Sequence, residues 1–139
     1  MKQKEIFEKL KREVENRGMK IVRVEKINDS LVLDFRDERI FKELERKYDP
    51  VTATQYSTCS CEIKKDGRIV CNIISPVKKI IEFFIRCNGD SYRPHFDPDD
   101  RIAGIEVFTK DVYKIVEILD SFHNAKGIYK GIDTEELRG

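Results

Sequence analysis

Cysteine and histidine side chains are the first candidates for chemistry in this sequence. Cys59, Cys61, Cys71 and Cys87, with His95 close by, offer ligands that suit zinc. The usual zinc sites place two cysteines about two to four residues apart on a tight turn, which this spacing does not match. In a strand, residues two apart share a face, but their Cα atoms lie about 6.5 to 7 Å apart. We therefore predict that Cys59, Cys61 and Cys71 are core residues, with a Cys61–Cys71 cross-strand disulfide as the alternative.

An acidic loop, residues 90–101, carries the second set of candidates. Its potential ligands for a divalent cation are His95, Asp97, Asp99 and Asp100. Arg93 or Arg101 could bind a phosphate through two parallel hydrogen bonds. Such a set would suit metal-assisted cleavage of a phosphodiester, with Mg²⁺, Mn²⁺ or Zn²⁺ as the cofactor, or simple phosphate binding. Because Asp-Pro-Asp-Asp is also ordinary turn sequence, we favour a solvated turn and predict no cofactor.

The third candidate is a strand face that carries Tyr56 and Thr58, with Asn72 opposite. Sheet faces that bind RNA usually present two or three stacking aromatic residues, and Tyr56 would stand alone here, so nucleic acid is not favoured. If Val70 and Ile74 join Tyr56 in an exposed patch, the face would suit contact with a protein partner or a second subunit.

A central hairpin over residues 51–76 would position these side chains. The sequence predicts one strand from Val51 to Lys64 and a second from Arg68, joined by a turn in which Gly67 takes a positive φ. This turn sets the register of the hairpin. The predicted opposite pairs are Ile63 with Ile69, Cys61 with Cys71, and Cys59 with Ile73.

The rest of the chain alternates between helical and strand periodicity. Helices are predicted over residues 2–17, 37–48, 77–87 and 110–126, and further strands over 21–27, 31–35 and 102–108. In the first hairpin we expect Val24 opposite Leu33 and Val22 opposite Phe35. The order α-β-β-α-β-β-α-β-α predicts an α+β fold, with a mainly antiparallel five-stranded sheet and four helices packed mostly on one face. One domain over 1–132 and a polar tail over 133–139 are expected.

Composition narrows the class of protein. The 139 residues include 27 basic and 26 acidic side chains, and a net charge of +1 argues against a protein that coats DNA. The longest apolar stretch, residues 71–85, is interrupted by Ser75-Pro76 and Lys78-Lys79 and is too broken to span a membrane. We predict a soluble cytoplasmic protein with reduced thiols. Charged residues make up 38% of the chain, a fraction that is typical of thermophile proteins.

No acid, base and nucleophile converge in the sequence, so an enzyme is not favoured. We predict a non-catalytic binding domain that self-associates, through the outer face of the central hairpin or through an exposed strand edge. The candidate binding residues are Tyr56, Thr58, Asn72, Ile74, Arg93 and Arg101. The alternative is a metal-dependent phosphodiester-cleaving or phosphate-binding protein that uses the acidic loop.

Overall fold

The computed structural model of the chain describes residues 2–74, 81–82, 85–86, 91–96, 99–100 and 102–124, apart from the side chains of 102–103 and 122–124. Cys87, Asp97, Arg101 and the predicted tail, residues 133–139, lie outside the described residues.

Within the described residues, the strands form one antiparallel sheet of six, in the order β1-β2-β3-β4-β6-β5. The strands are β1 (Lys20–Ile27), β2 (Ser30–Arg36), β3 (Thr58–Ile63), β4 (Ile69–Ile74), β5 (Tyr92–Phe96) and β6 (Ile102–Thr109). The α+β class is confirmed, and the prediction of five strands was wrong, because Tyr92–Phe96 is a strand inside the predicted acidic loop. This strand contains Pro94, which is tolerated at the edge of a sheet, and among the described strands β5 pairs with β6 alone.

The helices with defined bounds are α1 (Gln3–Asn16), α2 (Glu38–Lys47), α3 (Pro50–Ser57) and α4 (Val112–Asn124). Residues 81–82 and 85–86 are also helical and fall inside the helix predicted after Pro76.

The segment from Val51 to Ser57 is helical, so the prediction of a strand from Val51 to Lys64 was wrong over these residues. Asp49 caps this helix, since its Oδ1 accepts a hydrogen bond from the Thr52 backbone N–H at 2.8 Å. Pro50 then occupies the first turn, where a missing N–H costs nothing. Tyr56 therefore lies in α3, where it is 2% exposed, and not on the outer face of the hairpin.

The turn between β3 and β4 forms as predicted. Gly67 has a φ of 90°, and the Lys64 N–H donates to the Arg68 carbonyl at 2.7 Å. The register places Ile63 opposite Ile69 and Cys61 opposite Cys71. A local turn thus fixes which side chains of the two central strands face each other.

For the first hairpin, the predicted register is confirmed near the turn and wrong at the far end of β1, beyond a β-bulge. Ile27 pairs with Ser30 across the turn, and Val24 pairs with Leu33. A β-bulge between Ile21 and Arg23 shifts the register, so that Ile21 instead of Val22 lies opposite Phe35.

Two faces of the sheet differ in what covers them. We call the face that bears Leu33 and Cys71 the core face, and the face that bears Asp34 and Asn72 the outer face. The helices α1 and α4 and the core face share the main apolar cluster. The helices α2 and α3 form a second cluster that contacts Ile74 on the outer face. Helices therefore lie on both faces: α1, α4 and the helical residue Ile81 share the core-face cluster, and α2 and α3 lie on the outer face.

Cys61 and Cys71 are joined by a disulfide within the main cluster. The alternative raised from the sequence thus holds, and the expectation of reduced thiols was wrong for this pair. Both cysteines are 0% exposed, so the prediction that they are core residues is also confirmed.

Candidate interaction surface

The edge strand β1 is the most open strand of the sheet. It pairs with β2 alone among the described strands, and seven of its eight residues are exposed, with Ile21 half-buried. An edge strand presents backbone N–H and C=O groups that another chain can use to extend the sheet. The geometry of β1 therefore suits addition of a further strand.

Apolar side chains on β1 add to this openness. Val22, Val24 and Ile27 are 45%, 51% and 41% exposed. Val24 lies on the core face opposite Leu33, which is 0% exposed. The apolar core face, which is buried at Leu33 of β2, thus continues to the edge of the sheet, where about half of the Val24 surface is exposed to solvent.

The turn that follows β1 is held in place by α1. Asn28 has a φ of 55°, which a tight two-residue turn requires and which asparagine tolerates. The Gln3 Nε2 group donates to the Asp29 carbonyl at 2.6 Å and to the Ile63 carbonyl at 2.9 Å. These bonds link the start of α1 to the turn of the first hairpin and to the end of β3.

Charged side chains border the apolar ones. On the outer face, Arg23 Nε lies 2.8 Å from Asp34 Oδ2, and Arg23 Nη1 lies 3.1 Å from Glu25 Oε2. The side chains of Arg23 and Glu25 are both about half exposed. Charges on an edge strand disfavour unselective pairing with other strands, and they therefore restrict which strand can be added.

A row of polar residues crosses the outer face from one edge to the other. Each strand contributes one residue to a chain of directly opposite pairs, which are Arg23, Asp34, Ser60, Asn72, Glu106 and Arg93. Ser60 Oγ donates to Asp34 Oδ1 at 2.5 Å. Asn72 Oδ1 is buried and has no hydrogen-bond partner among the described residues.

The acidic-loop residues are only partly brought together. His95 lies on β5, where its Nδ1 is 3.7 Å from Glu106 Oε1, and Asp99 and Asp100 follow in a turn and a bend. Arg93 lies on the same strand, with its guanidinium 4.9 Å from the centre of the Phe108 ring. No group of three or more metal-ligating side chains occurs within the described part of the chain.

The remaining candidates from the sequence are dispersed. Thr58 begins β3, and Asn72 and Ile74 lie on β4, all three half-buried. Ile74 packs against the α2–α3 cluster to which Tyr56 also belongs. The structure therefore does not assemble Tyr56, Thr58, Asn72 and Ile74 into one exposed patch.

The cysteines of the central hairpin offer no reactive thiolate. Cys61 and Cys71 are bonded to each other. Burial raises the pKa of the Cys59 thiol to about 12, so this side chain stays protonated at neutral pH. A zinc-thiolate site built from these three residues is therefore not formed.

The role of β1 as an open edge was missed among the site residues. Its alternation of apolar and charged side chains was visible, but which strand lies at the edge depends on the order of the whole sheet.

Among the described residues, no helix has the length and apolar character needed to cross a membrane. Comparison with family models, with curated proteins and with solved structures found no match to this chain.

Proposed function

We propose that this chain is a non-catalytic interaction domain that self-associates through the edge strand β1. The observation that carries the proposal is the exposure of Val22, Val24 and Ile27 on a strand that pairs on one side only with the other described strands. Strand addition at such an edge supplies backbone hydrogen bonds, while the side chains on either face select the partner.

Burial of the exposed apolar groups would favour the assembly. A fully buried valine or isoleucine side chain contributes roughly 1.5 to 3 kcal/mol, and about half of the surface of Val24 is already covered in the monomer. Completing this burial is thus worth about 1 kcal/mol. A single short strand gives a small contact area, so we expect weak association.

The central hairpin is less suited to this role than β1. β3 lies between β2 and β4, and β4 lies between β3 and β6, so neither strand has an open edge. The outer face of the hairpin is polar around Asn72, and Tyr56 is inside the second cluster. These contacts support β1 as the surface for self-association.

Substitution of Val24 by lysine tests the proposal. We expect sedimentation equilibrium to show a concentration-dependent dimer for the wild-type chain and a shift toward monomer for Val24→Lys. Val51→Lys is the matched control, since Val51 is 77% exposed on α3, outside β1. A dimer that is equally weakened by both substitutions, or by neither, would contradict a role for β1.

The metal-dependent or phosphate-binding function of the acidic loop stays the alternative proposal. One contact favours it: Glu106, which was not among the predicted ligands, lies beside His95. A ligand that binds only the folded state must raise the melting temperature. A melting temperature that does not change with Mg²⁺, Mn²⁺, Zn²⁺ or inorganic phosphate would rule against this alternative.

A further inference from the structure

The sequence of β1 is complementary in charge to itself when the strand is reversed. It places a positive residue, Arg23, and a negative residue, Glu25, on either side of Val24. We infer that two copies of the chain pair β1 with β1 in antiparallel fashion, about a two-fold axis that passes between the two Val24 residues. This inference rests on the proposed self-association and specifies its geometry.

The charge argument follows from the symmetry of such a pair. In an isologous contact between identical antiparallel strands, the residue at the axis faces its own copy. Residues at equal distances on either side of the axis then face each other. With Val24 at the axis, Arg23 lies opposite Glu25 of the second copy, and Glu25 lies opposite Arg23 of the second copy. Both pairs have opposite charges, which stabilises directly opposite residues in a sheet.

Other positions of the axis are less favourable. An axis at Arg23 sets two arginines against each other, an axis at Glu25 sets two glutamates together, and an axis at Lys26 sets two lysines together. An axis at Val22 falls on the β-bulge, where the strand is irregular. Among the five central positions of β1, residues 22–26, the charges and the bulge select Val24.

Both faces of the extended sheet would be consistent with this arrangement. On the core face, the two half-exposed Val24 side chains would contact each other and extend the apolar layer that contains Leu33. On the outer face, Arg23 would keep its 2.8 Å ion pair with Asp34 and gain a carboxylate from the second copy. The polar row that starts at Arg23 would then run across both sheets.

Charge reversal at the two positions provides the test, with dissociation constants measured by sedimentation equilibrium. In the homodimer of either single variant, Arg23→Glu or Glu25→Arg, both cross-strand pairs become like-charged. We expect the dissociation constant to rise about tenfold or more. An equimolar mixture of the two variants restores both opposite-charge pairs in the heterodimer, which native mass spectrometry resolves by mass.

The mixture separates the inference from a loss of folding. Arg23 pairs with Asp34 and with Glu25 inside one chain, so each single variant also removes an ion pair within the fold. A chain damaged in this way would not be rescued by mixing it with the other variant. Arg68→Glu is the matched control, because Arg68 is exposed and pairs with Asp66 at the β3–β4 turn, away from the edge. Its dissociation constant should equal that of the wild type.

The outcomes distinguish the inference from the proposal beneath it. A wild-type dimer whose single variants dissociate as the wild type does, or whose mixture fails to form heterodimer, overturns the Val24 axis and leaves self-association standing. A wild-type chain that stays monomeric at the highest concentration reached overturns the proposed self-association itself.

Discussion

Replacing Cys61 and Cys71 together with alanine should lower the free energy of unfolding by roughly 4 to 5 kcal/mol relative to the oxidised wild-type chain. The disulfide joins residues separated by 10 positions. In the chain-entropy model, closing a loop of this length lowers the entropy of the unfolded chain and so raises its free energy by about 2.7 kcal/mol. Loss of the two buried sulfur atoms adds about 1 kcal/mol each, as for other small deletions in a packed core.

Cys59→Ala provides the control for packing. Cys59 is a free cysteine, 6% exposed, in the same cluster and on the same strand as Cys61. Its substitution removes one buried sulfur without removing a cross-link, and should cost about 1 kcal/mol. Urea denaturation followed by circular dichroism gives the free energy of unfolding for all three chains.

The difference between the variants isolates the cross-link. If the double variant loses no more than twice the free energy lost by Cys59→Ala, the disulfide contributes nothing and the reasoning is refuted. The bond itself can be checked directly, since Lys64, Lys65 and Arg68 lie between the two cysteines. Trypsin should therefore release two peptides that remain joined until a reductant is added.

Three further predictions concern single positions. Gly104→Ala should lower the melting temperature strongly, because the added Cβ would lie 2.3 Å from the Ile73 carbonyl oxygen; the same melting curve should move much less for Gly18→Ala, which meets no atom within 4 Å and costs only its positive φ. Asp37→Ala should cost about 1 kcal/mol in urea denaturation, since the Asp37 carboxylate accepts hydrogen bonds from the first turn of α2; an unchanged midpoint would contradict this capping role. Burial raises the pKa of Cys59 from about 9 to about 12, so the unfolded chain loses its proton first as pH rises. The free energy of unfolding of the wild type should then fall by up to about 1.4 kcal/mol per pH unit between pH 9 and 12. Cys59→Ala lacks this contribution, so urea denaturation of both chains at two pH values in this range should show a steeper fall for the wild type. Equal slopes for the two chains would mean that the pKa of Cys59 is not raised.

Local features of the fold could be predicted because their causes are local. The turn around Gly67 requires a positive φ that glycine supplies, and the alternation of side chains then places Cys61 opposite Cys71. The turn at Asn28 and the pair Val24 with Leu33 follow in the same way. These elements depend on residues that are close together in the chain.

Other features depend on distant parts of the chain. The β-branched residues of Val51–Ser57 favour a strand. The Asp49 cap favours a helix instead, and so does the packing of Tyr56 with residues of α2 in the second cluster. The proline in Tyr92–Phe96 concealed β5, which becomes a strand because β6 pairs with it. Whether Cys61 and Cys71 are bonded also depends on chemistry that spacing alone does not decide.

The candidate site could not be found from the sequence for the same reason. The residues of β1 read as a half-buried strand, and only the strand order of the sheet leaves one side of it open. The exposure of Val24 further depends on where the main apolar cluster ends, since Leu33 opposite Val24 is fully buried within that cluster. Both are properties of the assembled fold.

Sedimentation equilibrium of the wild-type chain beside Val24→Lys tests the central claim most directly. The account predicts a reversible dimer whose fraction grows with concentration in the wild type and falls sharply in Val24→Lys, with Val51→Lys unchanged. A monomer at every concentration, or a dimer that Val24→Lys leaves intact, would contradict self-association through β1.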